Sequence, residues 1–526
     1  MTQASPSPAG PPRRKVESRQ PSTGHIWATF ESASDEQVTR SVAAARAAQP
    51  AWAAVPVGTR IHILDRFHDL LFDRRHAAVE IICGETDKPA HEALLTEIGV
   101  VLDDAVHLRR AIPALLDARW VSGGEPSTLR KRMRVVHEPY GVVAIITPWN
   151  YPFMLACARL LPALITGNAV VFKPSEFSPS SAEFARKLLV DAGVPEEVLQ
   201  LVQGDGFTGA ALAGSAVDKI IFTGSVRAGR AVAHAAAERL LPCDLELGGN
   251  DAAIVLADAD VGHAASGIAW GRFCNAGQTC VAPKRVFVEA PAYDAFVQEI
   301  SEVVRSLRTG SGTDPGIDVG AMIRPEFRSV LESQRDDAVA SGGRIAAVAE
   351  TVGSQNFPPT VLVDVPSGAR VMREETFGPL LTVIRVADAD EAVARANDSD
   401  FGLSATVWSR DSARATAIAA RLECGSVAVN DVLVNVGIPA VPHGGSKQSG
   451  SGRMHGKAGL AAYVRTKSIA VDRFTSWRQP QWFSYSATLP EDSDAFIRYG
   501  HARGPFARLR ALPGVIRFVL RTGRRS

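Results

Sequence analysis

The chain has 526 residues, 46% of them hydrophobic, and carries 57 Lys and Arg against 56 Asp and Glu, a formal charge of +1. That length can bury several cores, so two or three domains are expected, and the balanced charge gives no global electrostatic ground for a nucleic-acid partner. The sequence has no run of about 18 apolar residues of the kind that spans a bilayer.

In chain order, residues 1–24 are rich in Pro, Ser and Gly without an apolar stretch, which predicts a disordered leader and not a signal peptide. From Ser34 to Leu116 the pattern is Ala-rich with helical periodicity, as in EQVTRSVAAARAAQPAWAAV. Between Val142 and Leu256 short apolar runs recur (VVAII, AVVF, LQLV, KIIF and AAIVL), with helix-compatible segments between most of them. Continuous apolar runs alternating with helices predict a parallel sheet covered on both faces. The alternation resumes after Lys284 with RVFVEA, TVLVDV, PLLTVIRVAD, LSATVWS and GSVAVN, a second α/β unit. RKRMRVVHEP at 130–139 and AAYVRTKSIAVDRF at 461–474 alternate polar and apolar residues, which suits a separate antiparallel piece.

Six cysteines, Cys83, Cys157, Cys243, Cys274, Cys280 and Cys424, fall at irregular spacings with no CxxC pair. This argues against a disulfide framework and against a metal site, and for a reducing, cytoplasmic compartment. A reactive thiol needs an accessible position on a backbone that substrate can approach, and Gly277-Gln278-Thr279 supplies small, flexible residues just before Cys280. A cysteine is more often a small buried hydrophobe, the reading that suits Cys274.

Seven strings then occur in order: TPWNYPF (147–153), FKPSE (172–176), FTGS (222–225), LELGGND (245–251), GQTC (277–280), EETFGP (374–379) and HGGSKQSGSGR (443–453). Together they resemble the aldehyde dehydrogenase superfamily, over roughly residues 28–474. The resemblance implies an α/β fold with a Rossmann-like cofactor domain (25–117 and 140–248), an α/β catalytic domain (249–447) and a small antiparallel oligomerisation element (118–139 and 461–476), in a homodimer or homotetramer.

The resemblance also implies chemistry. Cys280 is the expected nucleophile on an aldehyde carbonyl, Asn150 with the Cys280 N–H the expected oxyanion donor, and Glu246 the general base that hydrolyses the thioester after hydride transfer to NAD or NADP. A carboxylate at Glu246 favours the free acid over transfer to coenzyme A. Thr147, Pro148, Trp149, Lys173, Glu176, Thr223, Gly224, Ser225, Gly248, Glu375 and Phe377 are the expected cofactor contacts. Ser225 stands at a strand-to-helix turn where N–H groups face a pyrophosphate, and Glu176, facing the adenosine ribose, disfavours a 2′-phosphate, which points to NAD over NADP.

Tyr151, Leu155, Ala158, Thr279, Val281 and His443 are expected to line the aldehyde funnel, mostly uncharged, which favours an apolar, medium- or long-chain aldehyde. Three positions depart from the family's common pattern: Asp87 where glycine is frequent, Arg159 where lysine is frequent, and His443 where an aromatic is frequent. Arg159 and His443 keep a succinic-semialdehyde-type substrate as the alternative. Lys447 and Arg453 are expected to be structural. A catalytically silent scaffold is the rival from another class, and the presence of Cys280, Glu246 and Asn150 argues against it.

Residues 477–526 lie beyond the resemblance. After Asp494 there is no acid, while eight arginines from Arg498 to Arg525 interleave with large apolar residues. Such a basic amphipathic extension suits peripheral contact with an anionic membrane. Pro513-Gly514 is expected to break any single helix there.

Overall fold

The computed structural model describes residues 14–122, 128, 131–351, 356–473, 479, 482–483 and 485–520. Most of the expected leader, parts of the oligomerisation element and the last six residues of the extension lie outside the described residues. Two compact units are present, with boundaries at Leu115/Leu116, Glu138/Pro139 and Arg465/Thr466.

The larger unit holds two large sheets and, among the described residues, two two-stranded ones. Five fully parallel strands form the first: β1 (Val142–Ile146), β2 (Ala169–Lys173), β3 (Leu199–Leu201), β4 (Lys219–Thr223) and β5 (Cys243–Glu246), in the order β3-β2-β1-β4-β5. β1 and β2 are buried along their whole length, which is why they read as unbroken apolar runs. The strand order reverses between β1 and β4, so the segments leaving their carboxyl ends, from Thr147 and from Gly224, open a crevice of the kind in which such sheets bind ligands.

The second sheet comprises β6 (Asp251–Val255), β7 (Pro283–Glu289), β8 (Arg344–Val348), β9 (Thr360–Val363), β10 (Leu380–Val386), β11 (Ser404–Trp408) and β12 (Ser426–Val429), in the order β8-β9-β10-β7-β6-β11-β12. Only the edge strand β8 is antiparallel. The run AAIVL therefore belongs to this sheet, as β6, and not with the four runs before it. The first sheet closes instead with the more polar CDLE of β5.

Both sheets fall within one compact unit, so the expected division near Gly248 is not a boundary of compactness. The segment there is tied to both sides: Leu247 N–H donates to Ser449 O, Gly249 N–H to Glu375 and Asn250 Nδ2 to Glu374 O.

Helices between Asp35 and Leu116 cover the first sheet's side of this unit. The first of them, Asp35–Ala54, starts at a reciprocal capping box between Ser34 and Gln37. Asp87 sits at a helix C-terminus with φ +56°, a conformation that suits glycine. Its carboxylate compensates by accepting the N–H groups of Gly312 and Ala321 and the hydroxyls of Ser22 and Ser311.

The leader is ordered over its described part, contrary to expectation. Lys15–Arg19 pairs antiparallel with Ile26–Glu31, with Val16 buried and the Ser18 hydroxyl donating 2.6 Å to the buried Glu85 carboxylate. Alternation in KVESR outweighs the Pro-rich flank.

The smaller unit contains most of a three-stranded sheet of Arg119–Val121, Lys131–Pro139 and Val464–Asp472, held in part by Lys131–Asp472 at 2.9 Å and by the Lys467–Glu138 pair. It also contains two paired helices, Leu489–His501 and Pro505–Leu520. The second runs through Pro513, so the expected break is absent. A proline costs one hydrogen bond, and here the adjacent Gly514 packs directly on Ala495 of the partner helix, an approach no larger residue permits.

Candidate active site

Cys280 lies on the segment between helix Val261–Phe273 and β7. The chain kinks there: Asn275 and Ala276 both take φ +52°, and Gly277 follows at φ +70° with its Cα against the Gly378 backbone, so a side chain at 277 has no room. The kink is held by buried side chains. Glu92 accepts Asn275 N–H at 2.8 Å, Asn275 Nδ2 donates to Asn150 O at 2.8 Å, and Gln278 Oε1 accepts Ile323 N–H at 3.0 Å. Burial pushes the Glu92 carboxyl up to about 7.

Lys284, fully buried, points its ammonium back at the same segment. It donates to Cys280 O at 2.5 Å, Thr279 O at 3.2 Å and Ala282 O at 3.2 Å. The Cys280 thiol is pushed up to about 12, first by burial, while the Lys284 cation acts in the opposite direction. Lys284→Met is therefore expected to raise the thiol pKa further and slow alkylation of Cys280 by iodoacetamide at fixed pH, because each tenfold drop in the thiolate fraction slows the reaction about tenfold. Lys284→Arg, which keeps the charge, should recover much of the rate.

Asn150 is buried at the end of the segment leaving β1. Its Nδ2 donates to Gln278 O at 3.1 Å, and its carbonyl accepts Lys88 Nζ at 3.0 Å and Asn275 Nδ2. Lys88 is in turn paired with Glu97 at 2.5 Å, wholly buried, and lies 4.0 Å over the Tyr151 ring. Glu97 also accepts the N–H groups of Phe153 and Met154, fixing the start of helix Pro152–Ile165. Glu246 ends β5 and forms a buried ion pair with Arg159, while its Oε1 has no hydrogen-bond partner among the described residues.

These residues border a cavity of about 640 Å³. It brings together Cys280, Glu246 and Asn150 with Pro148, Trp149, Thr223, Gly224, Ser225, Gly248, Glu375 and Phe377, and with Tyr151, Leu155, Thr279, Val281 and His443. Thr147, Lys173, Glu176 and Ala158 are not on its wall. Thr147 and Lys173 are joined behind it through Thr147 N–H to Lys173 O at 3.2 Å, and Lys173 Nζ lies 3.5 Å from Glu176. Ala158, about one helical turn beyond Leu155, lines a separate small void with Asp104, Leu108, His455 and Tyr463, so it does not border the aldehyde funnel as expected.

Sequence reasoning missed much of the wall: Leu95, Val100, Met154, Trp270, Phe327, Leu331, Met454 and the stretch Asp431–Val434 with Val436. One signal was available, since VLVNV is an apolar run outside any strand or long helix. Trp149 stacks on Phe327 at 5.4 Å and meets Phe377 edge-on at 5.6 Å. Lys447 is occupied with Asn397 O, Ser399 O and Glu423, and Arg453 with Gly445 O and Gly452 O, and neither lines the cavity.

The family model for the aldehyde dehydrogenase family matches residues 9–469. The chain belongs to the aldehyde dehydrogenase family. Among curated aldehyde dehydrogenase relatives and structures, it is similar to a 4,4'-diapolycopene aldehyde oxidase of Methylomonas sp. (39% identity, 90% of this chain and 88% of the relative). It is also similar to a putative NADP(+) succinate-semialdehyde dehydrogenase of Mycolicibacterium smegmatis (34%, 87% and 89%). The crystal structure of betaine aldehyde dehydrogenase from Staphylococcus aureus with NAD+ superposes with a TM-score of 0.84 at 30% identity, covering 90% and 94% of the two chains. The chain is thus an enzyme of the NAD- or NADP-using aldehyde dehydrogenases.

The crevice fits such a dinucleotide. The hydroxyls of Thr147 and Thr223 are buried without hydrogen-bond partners among the described residues. Ser225 caps helix Val226–Ala237. A side chain at Gly248 would strike the Glu375 carboxylate, so the backbone is bare at that point of the cavity wall.

Proposed function

We propose that the enzyme oxidises an apolar, medium- or long-chain aldehyde to the carboxylic acid, with NAD preferred over NADP. The observation that carries the substrate class is the cavity wall. It holds no lysine or arginine among the described residues, and its only acids are Glu246, Glu375 and Asp431. A dicarboxylic semialdehyde needs a cation, and the two candidates for one are spent. Arg159 is buried and paired with Glu246, away from the wall. Burial pushes His443 down to about 4, so it is neutral at physiological pH. Leu95, Leu155, Val432, Val436 and Met454 supply apolar surface in their place.

In this reading Cys280 attacks the carbonyl, and the second hydrogen of Asn150 Nδ2 together with the Cys280 N–H stabilises the oxyanion. The bound dinucleotide supplies the hydride acceptor. Glu246 leaves Arg159 to take a proton from the water that hydrolyses the thioester. Lys173 and Glu176 hold the adenosine ribose, Ser225 and Gly224 the pyrophosphate, and Glu375 and Phe377 the nicotinamide side, with Pro148, Trp149, Thr223 and Gly248 shaping the wall and Thr147 offering its hydroxyl, unpartnered among the described residues, just after β1. The Glu176 carboxylate opposes a 2′-phosphate, which supports NAD.

We extend the proposal to assembly and place: a cytoplasmic homodimer or homotetramer built through the three-stranded sheet, with peripheral membrane contact through the C-terminal extension. No described helix is long and apolar enough to cross a membrane.

The test is formation of NADH and NADPH with straight-chain aldehydes from two to sixteen carbons and with succinic semialdehyde. The proposal expects kcat/KM to rise with chain length, by up to roughly fourfold per buried methylene, and to be at least 10-fold higher with NAD. A preference for succinic semialdehyde would overturn the apolar assignment.

A further inference from the structure

The C-terminal helical hairpin lies outside the stretch matched by the family, residues 9–469, so nothing in the family's chemistry accounts for it. At about 100° per residue, helix Pro505–Leu520 carries two apolar stripes. One comprises Ala511, Gly514, Val515 and Phe518. It is turned toward helix Leu489–His501, with Gly514 against Ala495 and Phe518 5.0 Å from Phe496. The other, Leu509, Leu512, Ile516 and Leu520, faces outward, with Leu509 62% and Leu520 67% exposed, and Phe506 at 80% continues it.

A soluble helix needs one buried stripe, and a second, exposed one on the opposite face needs a partner. The basic residues are placed to suit one kind. Helical geometry puts Arg508 on one flank of the outer stripe and Arg510 and Arg517 on the other. Arg517 is taken by the buried Asp492 at 3.0 Å and Arg498 by Asp494 at 2.7 Å. No ion pair links Arg503, Arg508 or Arg510 to an acid among the described residues, and no acid follows Asp494. Arginines flanking an apolar stripe can keep their charge at a headgroup layer while the stripe enters the acyl boundary. Trp482 and Tyr485, 57% and 61% exposed, are the residue types that favour that same boundary.

We infer that the outer face of helix Pro505–Leu520 docks the enzyme on an anionic lipid bilayer, with Leu509, Leu512 and Ile516 inserted and Arg503, Arg508 and Arg510 at the headgroups. Charge complementarity selects this occupant over a second copy of the chain, whose matching face carries the same positive charge and would repel it. The inference does not depend on which aldehyde the cavity takes, because its test reads binding.

The full-length enzyme is sedimented with vesicles of phosphatidylcholine alone and of phosphatidylcholine with phosphatidylglycerol, at low and high salt. Binding is expected only to the anionic vesicles and should weaken with salt. Arg508→Gln/Arg510→Gln should weaken it roughly 30-fold, about 2 kcal/mol. Leu509→Ser/Ile516→Ser should abolish it while leaving turnover of a short, water-soluble aldehyde unchanged, which shows that the variant is folded. Equal binding to both vesicle types, no binding to either, or a change in oligomeric state of the serine variant without an effect on vesicle binding would each overturn the inference.

Discussion

Replacing Cys280 with alanine is expected to lower aldehyde oxidation by roughly 10⁴-fold or more, the scale on which removal of a covalent nucleophile acts. The site gives the reason. Cys280 is the cysteine on the wall of the cavity that also holds Glu246, Asn150 and Glu375. Cys274, six residues earlier, is buried and absent from that wall, and burial pushes its thiol up to about 12. Cys274→Ala is therefore expected to leave the rate within a few-fold of the parent. Stopped assays of reduced cofactor for the two variants check the pair. A larger loss from Cys274→Ala than from Cys280→Ala would exchange their roles.

Glu246→Gln is expected to split the reaction in time. One oxygen of the buried Glu246 carboxylate is paired with the Arg159 guanidinium and the other is unpartnered among the described residues. Glutamine keeps the shape but cannot take a proton from water, so attack by Cys280 and cofactor reduction proceed once while release of the acid stalls. A rapid burst of about one reduced cofactor per active site, followed by a steady rate lowered roughly 10²- to 10⁴-fold, is the expected trace. Loss of the burst itself would instead place Glu246 in activation of the thiol. The substitution also leaves Arg159 buried without its counter-charge, so some loss of stability accompanies it. A thermal melt separates that effect from the chemistry.

The parts of this molecule that were legible in the sequence are those where one physical cause dominates. β1, β2 and β6 are buried on both faces, and burial on both faces writes a continuous apolar run. The edge strand β8, RIAAV, is largely exposed and carries no such pattern, and β5, CDLE, is half polar, so neither stood out. Asn150 and Cys280, in loops, and Glu246, the last residue of β5, carry no periodic signal of their own and stand out only through the strings that surround them.

What sequence order hides is the pairing of distant groups. Nothing in the two separate strings says that Arg159 turns to Glu246, or that Lys284 folds back on the carbonyl of Cys280. Ala158 went astray for a related reason. It continues the face of Tyr151 and Leu155 by periodicity, but the cavity ends before the helix does. The helix through Pro513 shows the reverse error, where tertiary packing of Gly514 on Ala495 overrode a local breaker.

The central claim is that Cys280 carries the acyl group of an apolar aldehyde. It is tested most directly by mixing the enzyme with dodecanal and NAD, quenching in acid within the first turnover, and weighing the Cys280 peptide. The account predicts a dodecanoyl thioester on Cys280, formed only when NAD is present and matched by reduced cofactor. Reduced cofactor without any adduct on Cys280, or an adduct on a different residue, would contradict it.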